Sequence, residues 1–150
     1  MKHTTFAVLL AVSIGCGDDN DEPGIVGDWV SPSDGPYDCA YGMTFESDGT
    51  YVEGTVCTLE GGDLGVEAYS GTYTTSGDEL TLTQTHGTCP EAEAGAERLA
   101  YELDGDKLRV GSAAGTVVLE RAEGGDVTGQ ATYGCYAQDG SFTPRPIAEL

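Results

Sequence analysis

The chain has 150 residues, with 6 Lys and Arg against 26 Asp and Glu, giving a formal charge of −20 and a pI near 4.1. This balance excludes nucleic acid as a direct partner, because phosphate contacts need clustered Lys and Arg, and it excludes docking on anionic lipid through a basic patch. The length fits one domain, and the near absence of Leu-rich helical stretches argues against a helix bundle.

The first segment is an address. Lys2 precedes an apolar run from Phe6 to Ile14. That run is too short to span a bilayer as a helix, which takes about 20 apolar residues, and has the layout of a secretory signal. Ser13-Ile14-Gly15-Cys16 resembles the bacterial lipobox, in which small residues precede a Cys. The resemblance implies a signal peptide over 1–15 and diacylation of Cys16 on sulfur. Cleavage after Gly15 would then free the Cys16 amine for a further acyl chain. Gly17, rather than Asp, follows Cys16. By the sorting rule of enteric bacterial lipoproteins this implies the outer membrane of the cell envelope. Cysteine arithmetic agrees: the chain has 5 Cys, and assigning Cys16 to lipid leaves an even set, Cys39, Cys57, Cys89 and Cys135. Residues 16–24 then form the acylated Cys and a tether. Asp18, Asp19, Asp21 and Glu22 lack the ligand spacing of a calcium loop and read as a self-repelling spacer.

The body, 25–122, shows a hydrophobic period of two. Ile25 to Val30 reads as a first strand. Tyr41, Met43 and Phe45 alternate with small or polar residues, Ser47-Asp48-Gly49 turns, and Thr50 to Thr58 returns. Leu64 to Thr75, Glu79 to Thr85, Leu99 to Leu103, Leu108 to Val110 and Thr116 to Arg121 follow, with Gly/Asp turns at 76–78 and 104–106. β-Branched and aromatic runs between such turns are the hairpin pattern. About eight short strands joined by tight turns predict an all-β, antiparallel, up-and-down barrel, whose closure removes exposed sheet edges. A helix or a loop is expected over Pro90 to Ala100, with Pro and two Glu at its start.

The turn chemistry bears on the disulfides. A three-residue loop with Gly49 as the bulge residue pairs Glu46 with Thr50 and, stepping outward, Cys39 with Cys57. Cys89 is then left to pair with Cys135. The same register puts Glu53 on the face of Met43, Phe45 and Tyr51. A two-residue Asp48-Gly49 loop would instead pair Phe45 with Val52 and Tyr41 with Val56, a more apolar face, but would put Cys39 and Cys57 on opposite faces. The disulfide register is preferred, each bridge contributing about 2–4 kcal/mol.

Gly27-Asp28-Trp29 resembles the Gly-x-Trp motif of lipocalins and the wider calycin group. Phe45-x-x-Asp48-Gly49-Thr50-Tyr51, Gly71-Thr72-Tyr73, Leu80-Thr81-Leu82, Tyr101-x-Leu103-Asp104-Gly105-Asp106-Lys107-Leu108 and a final-strand Arg121 resemble further features of bacterial lipoproteins with lipocalin-like domains. The resemblance covers roughly residues 24–122. It implies an eight-stranded lipocalin-like barrel in which Trp29 plugs one end and Arg121 stacks on it. It also implies a non-enzymatic protein that binds a small apolar or amphipathic ligand in the barrel mouth. Tyr41, Met43, Phe45, Tyr51, Glu53, Tyr73 and Tyr101 are the candidate ligand-binding residues. The alternative is a structural or protein-interaction module, an inhibitor or envelope sensor, with a filled barrel. A cavity of about 300 Å³ or more would favour the ligand reading.

Residues 123–150 are expected to form a C-terminal extension on the barrel. Val127 to Ala137 reads as a ninth strand and Asp139-Gly140 as a turn. No cofactor or metal is expected: His86 is the single His beyond the signal, and the Cys show no zinc-knuckle spacing. No nucleophile elbow or phosphate loop occurs, so no catalytic residue is assigned.

Overall fold

The structure, a computed structural model, describes residues 24–31, 39–89, 95–122 and 131–145. Cys16, the signal and most of the tether lie outside them, as do Gly124-Gly125 and the last five residues. Ten strands follow in order: β1 (Gly27–Val30), β2 (Cys39–Phe45), β3 (Thr50–Thr58), β4 (Leu64–Ser76), β5 (Glu79–Gly87), β6 (Ala96–Asp104), β7 (Lys107–Ser112), β8 (Gly115–Arg121), β9 (Ala131–Tyr136) and β10 (Phe142–Pro144). Strands β1 to β8 pair antiparallel with their sequence neighbours, and β8 returns to β1 through Trp29 opposite Arg121 and Val30 opposite Glu120. The result is a closed, eight-stranded, up-and-down barrel extended by two C-terminal strands.

Each tight turn has a local cause. Gly49 adopts φ 86° and donates its amide to the Glu46 carbonyl, while the Glu46 and Thr50 backbones pair across the loop. This is the three-residue loop, and it sets Cys39 opposite Cys57. Gly77 and Gly105, at φ 63° and 59°, occupy the first central position of two-residue loops, where positive φ suits the twist of the hairpin. Both expected disulfides are present, Cys39–Cys57 and Cys89–Cys135. One expectation needs correction. Residues 96–100, assigned to a helix or a loop, belong to β6, where Leu80 of β5 faces Leu99. The alternation of Leu99, Tyr101 and Leu103 toward the core extends back to Glu97 and outweighs the local helix signals.

One end of the barrel is solid. Trp29, Phe45, Tyr51, Leu80, Leu108 and Leu119 are each under 2% exposed and form a single cluster. The Arg121 guanidinium lies 4.2 Å from the Trp29 ring centroid and donates to the Val26 and Gly24 carbonyls at 3.0 and 3.3 Å. The Trp29 indole N–H donates to the Ile25 carbonyl at 2.7 Å. The chain entering β1 is thereby held across the barrel end. Gly27 makes this possible: its φ is 130°, and a Cβ there would lie 2.6 Å from an Arg121 nitrogen. The Gly-x-Trp spacing therefore has a steric reason.

The other end is built differently. β4 runs for 13 residues, but β5 pairs only with its second half, Tyr69 to Ser76, with a register shift at Ser70/Gly71. Its first half, Leu64 to Val66, is paired in parallel by β9. The β9–β10 hairpin thus continues the sheet beyond the barrel. Tyr133 packs outward on Val56, Leu64, Val66 and Ala68. Cys135 bonds Cys89, and the Tyr136 amide donates to Glu67 at 2.7 Å.

Replacing Arg121 with Ala should lower stability by about 1–2 kcal/mol, the scale of a partly desolvated cation–π contact, read as a shift in urea midpoint at constant slope. Gly27→Ala should act in the same direction through backbone strain and collision with the guanidinium. An unchanged midpoint in both would show that the Trp29 end closes without this stack.

Candidate functional site

The open end holds two adjoining concavities on the inner face of β2, β3 and β4. The first is the barrel mouth, a cavity of about 160 Å³. Its apolar wall is Met43, Leu82, Leu99, Val110, Val117 and Leu119, and its polar members are Tyr41, Glu53, Glu97 and Ser112. The Tyr41 hydroxyl donates to Glu53 Oε2 at 2.5 Å. Burial raises the Glu53 carboxyl above the usual carboxylate range; the Tyr41 hydrogen bond offsets part of this, and the charge of Glu97 adds to it. Burial and the neighbouring Glu53 hold the Tyr41 phenol far above its usual range, so it stays a neutral donor. Tyr51 is raised in the same way by burial, Glu53 and Glu97.

The second concavity, about 930 Å³, lies where β2 to β4 run on beyond the barrel and the β9–β10 hairpin faces them. Cys39, Cys57 and Thr55 line one side, Tyr136 and Phe142 the other, with Leu59, Glu60 and Glu67 between. The rings of Tyr136 and Phe142 are 4.8 Å apart. Gly65 permits this arrangement, because a Cβ there would meet the Tyr136 hydroxyl and the Leu59 side chain. Tyr41 lines the mouth and its cross-strand partner Thr55 lines the cleft, so the two spaces are neighbours on one face.

Of the residues singled out from sequence, Tyr41, Met43 and Glu53 line the mouth. Phe45 and Tyr51 are each 1% exposed and belong to the solid end. Tyr73 meets Phe45 edge-on and donates to the Glu46 carbonyl, at that same end. Tyr101 packs against the main core. Alternation gives the face of a strand but not the depth along the barrel axis: Phe45, Tyr51 and Tyr73 lie toward the solid end, while Tyr101 sits opposite the mouth residue Val110 without lining the cavity. Glu97 carries no strand signal of its own in the sequence, because the helix-start residues Pro90, Glu91 and Glu93 precede it. The cleft residues Tyr136 and Phe142 depend on the parallel β4–β9 pairing, which no local pattern announces.

The remaining chemistry is modest. His86 is exposed, with its Nδ1 2.9 Å from the Thr85 hydroxyl. Glu67 lies close to Cys89 and Cys135, but those sulfurs are bonded to each other and offer no thiolate for a metal.

No protein-family model matches the chain, and no curated protein matches it. Among solved structures it is similar to a lipocalin-like protein from Bacteroides uniformis, at 17% identity and a TM-score of 0.43, over 65% of this chain and 97% of that one. It is also similar to an uncharacterized protein from Bacteroides eggerthii, at 19% identity and a TM-score of 0.42, over 65% of this chain and 98% of that one.

The raised Glu53 carboxyl has a consequence for stability. Folded Glu53 takes up its proton at higher pH than an unfolded Glu, whose ordinary value is 4.5. The native state therefore binds more protons just above that value, and stability falls as pH rises through the window. Glu97, Tyr41, Tyr51 and Tyr69 are the titratable groups that interact with Glu53. Glu53→Gln should raise the melting temperature at pH 7, with the gain shrinking as pH falls toward 4.5. Thermal unfolding followed by circular dichroism from pH 4 to 8 checks this; a pH-independent difference would contradict it.

Proposed function

We propose that this chain is a non-enzymatic binding protein of the bacterial cell envelope, tethered through lipidated Cys16, that holds a small amphipathic ligand at the open end of its barrel. The observation that carries the reading is the pair of adjoining concavities. The mouth of about 160 Å³ is smaller than a usual ligand site, but the cleft of about 930 Å³ on the same face is itself within the range of small-molecule sites. Apolar walls with a few placed polar groups, here Tyr41, Glu53 and Glu97, suit a ligand with an apolar body and a polar part. Two disulfides fit an oxidising, extracytoplasmic compartment. The tether rests on the Ser13-Ile14-Gly15-Cys16 sequence, and export to the outer membrane on Gly17.

A second reading has its own support. Trp29, Phe45, Tyr51, Leu80 and Leu108, each under 2% exposed, fill the Trp29 end, which fits a structural or protein-interaction module that carries no ligand.

Titration with the fluorescent probe N-phenyl-1-naphthylamine separates the two. Saturable enhancement is expected for the native protein, and Ser112→Trp, at the exposed rim of the mouth, should remove it without shifting the melting temperature. Absence of enhancement in the native protein would leave the filled-barrel reading standing. For the tether, Cys16→Ala should move the protein from the membrane to the soluble fraction of the expressing bacterium; full retention on membranes would overturn the lipoprotein assignment.

A further inference from the structure

The charge inside the barrel mouth has one sign. Glu53 and Glu97 both line the cavity, and none of the described cations does. Arg121 closes the opposite end over Trp29. Lys107 sits in the turn facing Asp104, at that same end. Arg98 and Arg109 occupy outward positions, since their neighbours Leu99, Leu108 and Val110 are the ones in the core, and Arg109 pairs with Glu102 at 3.4 Å. Arg145 follows β10, its amide donating to the Tyr133 carbonyl.

Acidic groups alone would select nothing on a chain of charge −20. What distinguishes these two is the half-open, apolar-walled volume beside them. A dry, apolar cavity of roughly 150 Å³ is known to take benzene, and the mouth measures about 160 Å³. The cavity therefore matches a group of about six carbons, with Met43, Leu82 and Leu99 as its walls and the Tyr41–Glu53 pair on one side.

Building on the reading of the mouth as a ligand site, we propose that it selects a compact organic cation, a primary amine bearing an aryl or branched alkyl group. Its ammonium would lie against Glu53 with Glu97 nearby, and its apolar group would lie on the cavity floor. The physical basis is the cost of burying charge. An ammonium leaving water needs a counter-charge, and Glu53 supplies one already oriented by Tyr41. A carboxylate ligand of the same shape would meet the like charge of the partly buried Glu53, with that of the exposed Glu97 nearby. A neutral alcohol would gain a hydrogen bond and no ion pair. The net negative field of the chain also draws cations toward the mouth.

The test is isothermal titration of the protein with three probes of one shape: 2-phenylethylamine, 2-phenylethanol and phenylacetate. The amine should bind at least tenfold more tightly than the alcohol, and phenylacetate should show no binding. Glu53→Gln should bring the amine to within about twofold of the alcohol, both measured on that variant. Glu97→Gln should weaken the amine by a smaller factor, and Glu102→Gln, on the outer face, should have no effect. Equal affinity for amine and alcohol in the native protein would overturn the charge selection while leaving the mouth as a ligand site. Binding of none of the three would overturn this inference, and the naphthylamine titration would then show whether the broader ligand reading falls with it.

Discussion

The turn Ser47-Asp48-Gly49 governs which side chains see the inside of the barrel. Its three-residue form sets Phe45 opposite Tyr51, Met43 opposite Glu53 and Cys39 opposite Cys57. Because successive side chains point to opposite faces, a slip of one residue would change the face of the strand relative to its partner. It would also separate the two sulfurs. Turn and disulfide thus lock the same hairpin from its two ends. Glu53 enters the interior as a consequence of this register, not through any preference of a carboxylate for a core. The hydrogen bond from Tyr41 offsets part of the cost of keeping it there.

The two ends of the barrel solve different problems. At the Trp29 end, Arg121 satisfies two carbonyls of the incoming chain while covering an aromatic face, so one side chain seals an opening that would otherwise expose the core. At the other end the wall does not close over. β5 leaves β4 near Tyr69, and the freed edge of β4 is taken by β9. A free strand edge is a template for pairing with another chain, and here the protein fills part of it with its own C-terminal hairpin. The Cys89–Cys135 bridge and the bond from Tyr136 to Glu67 hold that hairpin in place. The cleft beside the mouth follows from this divergence.

The local signals in the sequence were strong where contacts are near in the chain. Gly49, Gly77 and Gly105 mark turns whose geometry depends on a few residues, and strand alternation names the faces. The Cys39–Cys57 pairing depends on one turn taking its three-residue form. The limits appear at Phe45 and Tyr51: both face inward, as alternation requires, yet both lie in the solid half. Depth along the axis depends on how far each strand is staggered against all the others around the barrel, a property of closure. Glu97 shows a second limit. Pro90, Glu91 and Glu93 carry helix-start chemistry, but Ala96 to Asp104 is flanked by β5 and β7, whose open edges it completes.

The sequence by itself determined the all-β class and the order and hairpin connection of the strands, and it favoured, over a two-residue loop, the register of β2 on β3 that pairs Cys39 with Cys57. Each of these rests on period-two patterning, turn residues or the parity of a short cysteine set. Only the tertiary structure decided that Gly27 makes room for the Arg121–Trp29 stack the resemblance implies, and that β9 runs parallel to β4. Tertiary structure alone also decided that Tyr41, Glu53 and Glu97 share a small cavity beside a larger cleft. The physical reason is the same in each case: these contacts join strands that only barrel closure, or the long crossing from β4 (Leu64–Ser76) to β9 (Ala131–Tyr136), brings side by side.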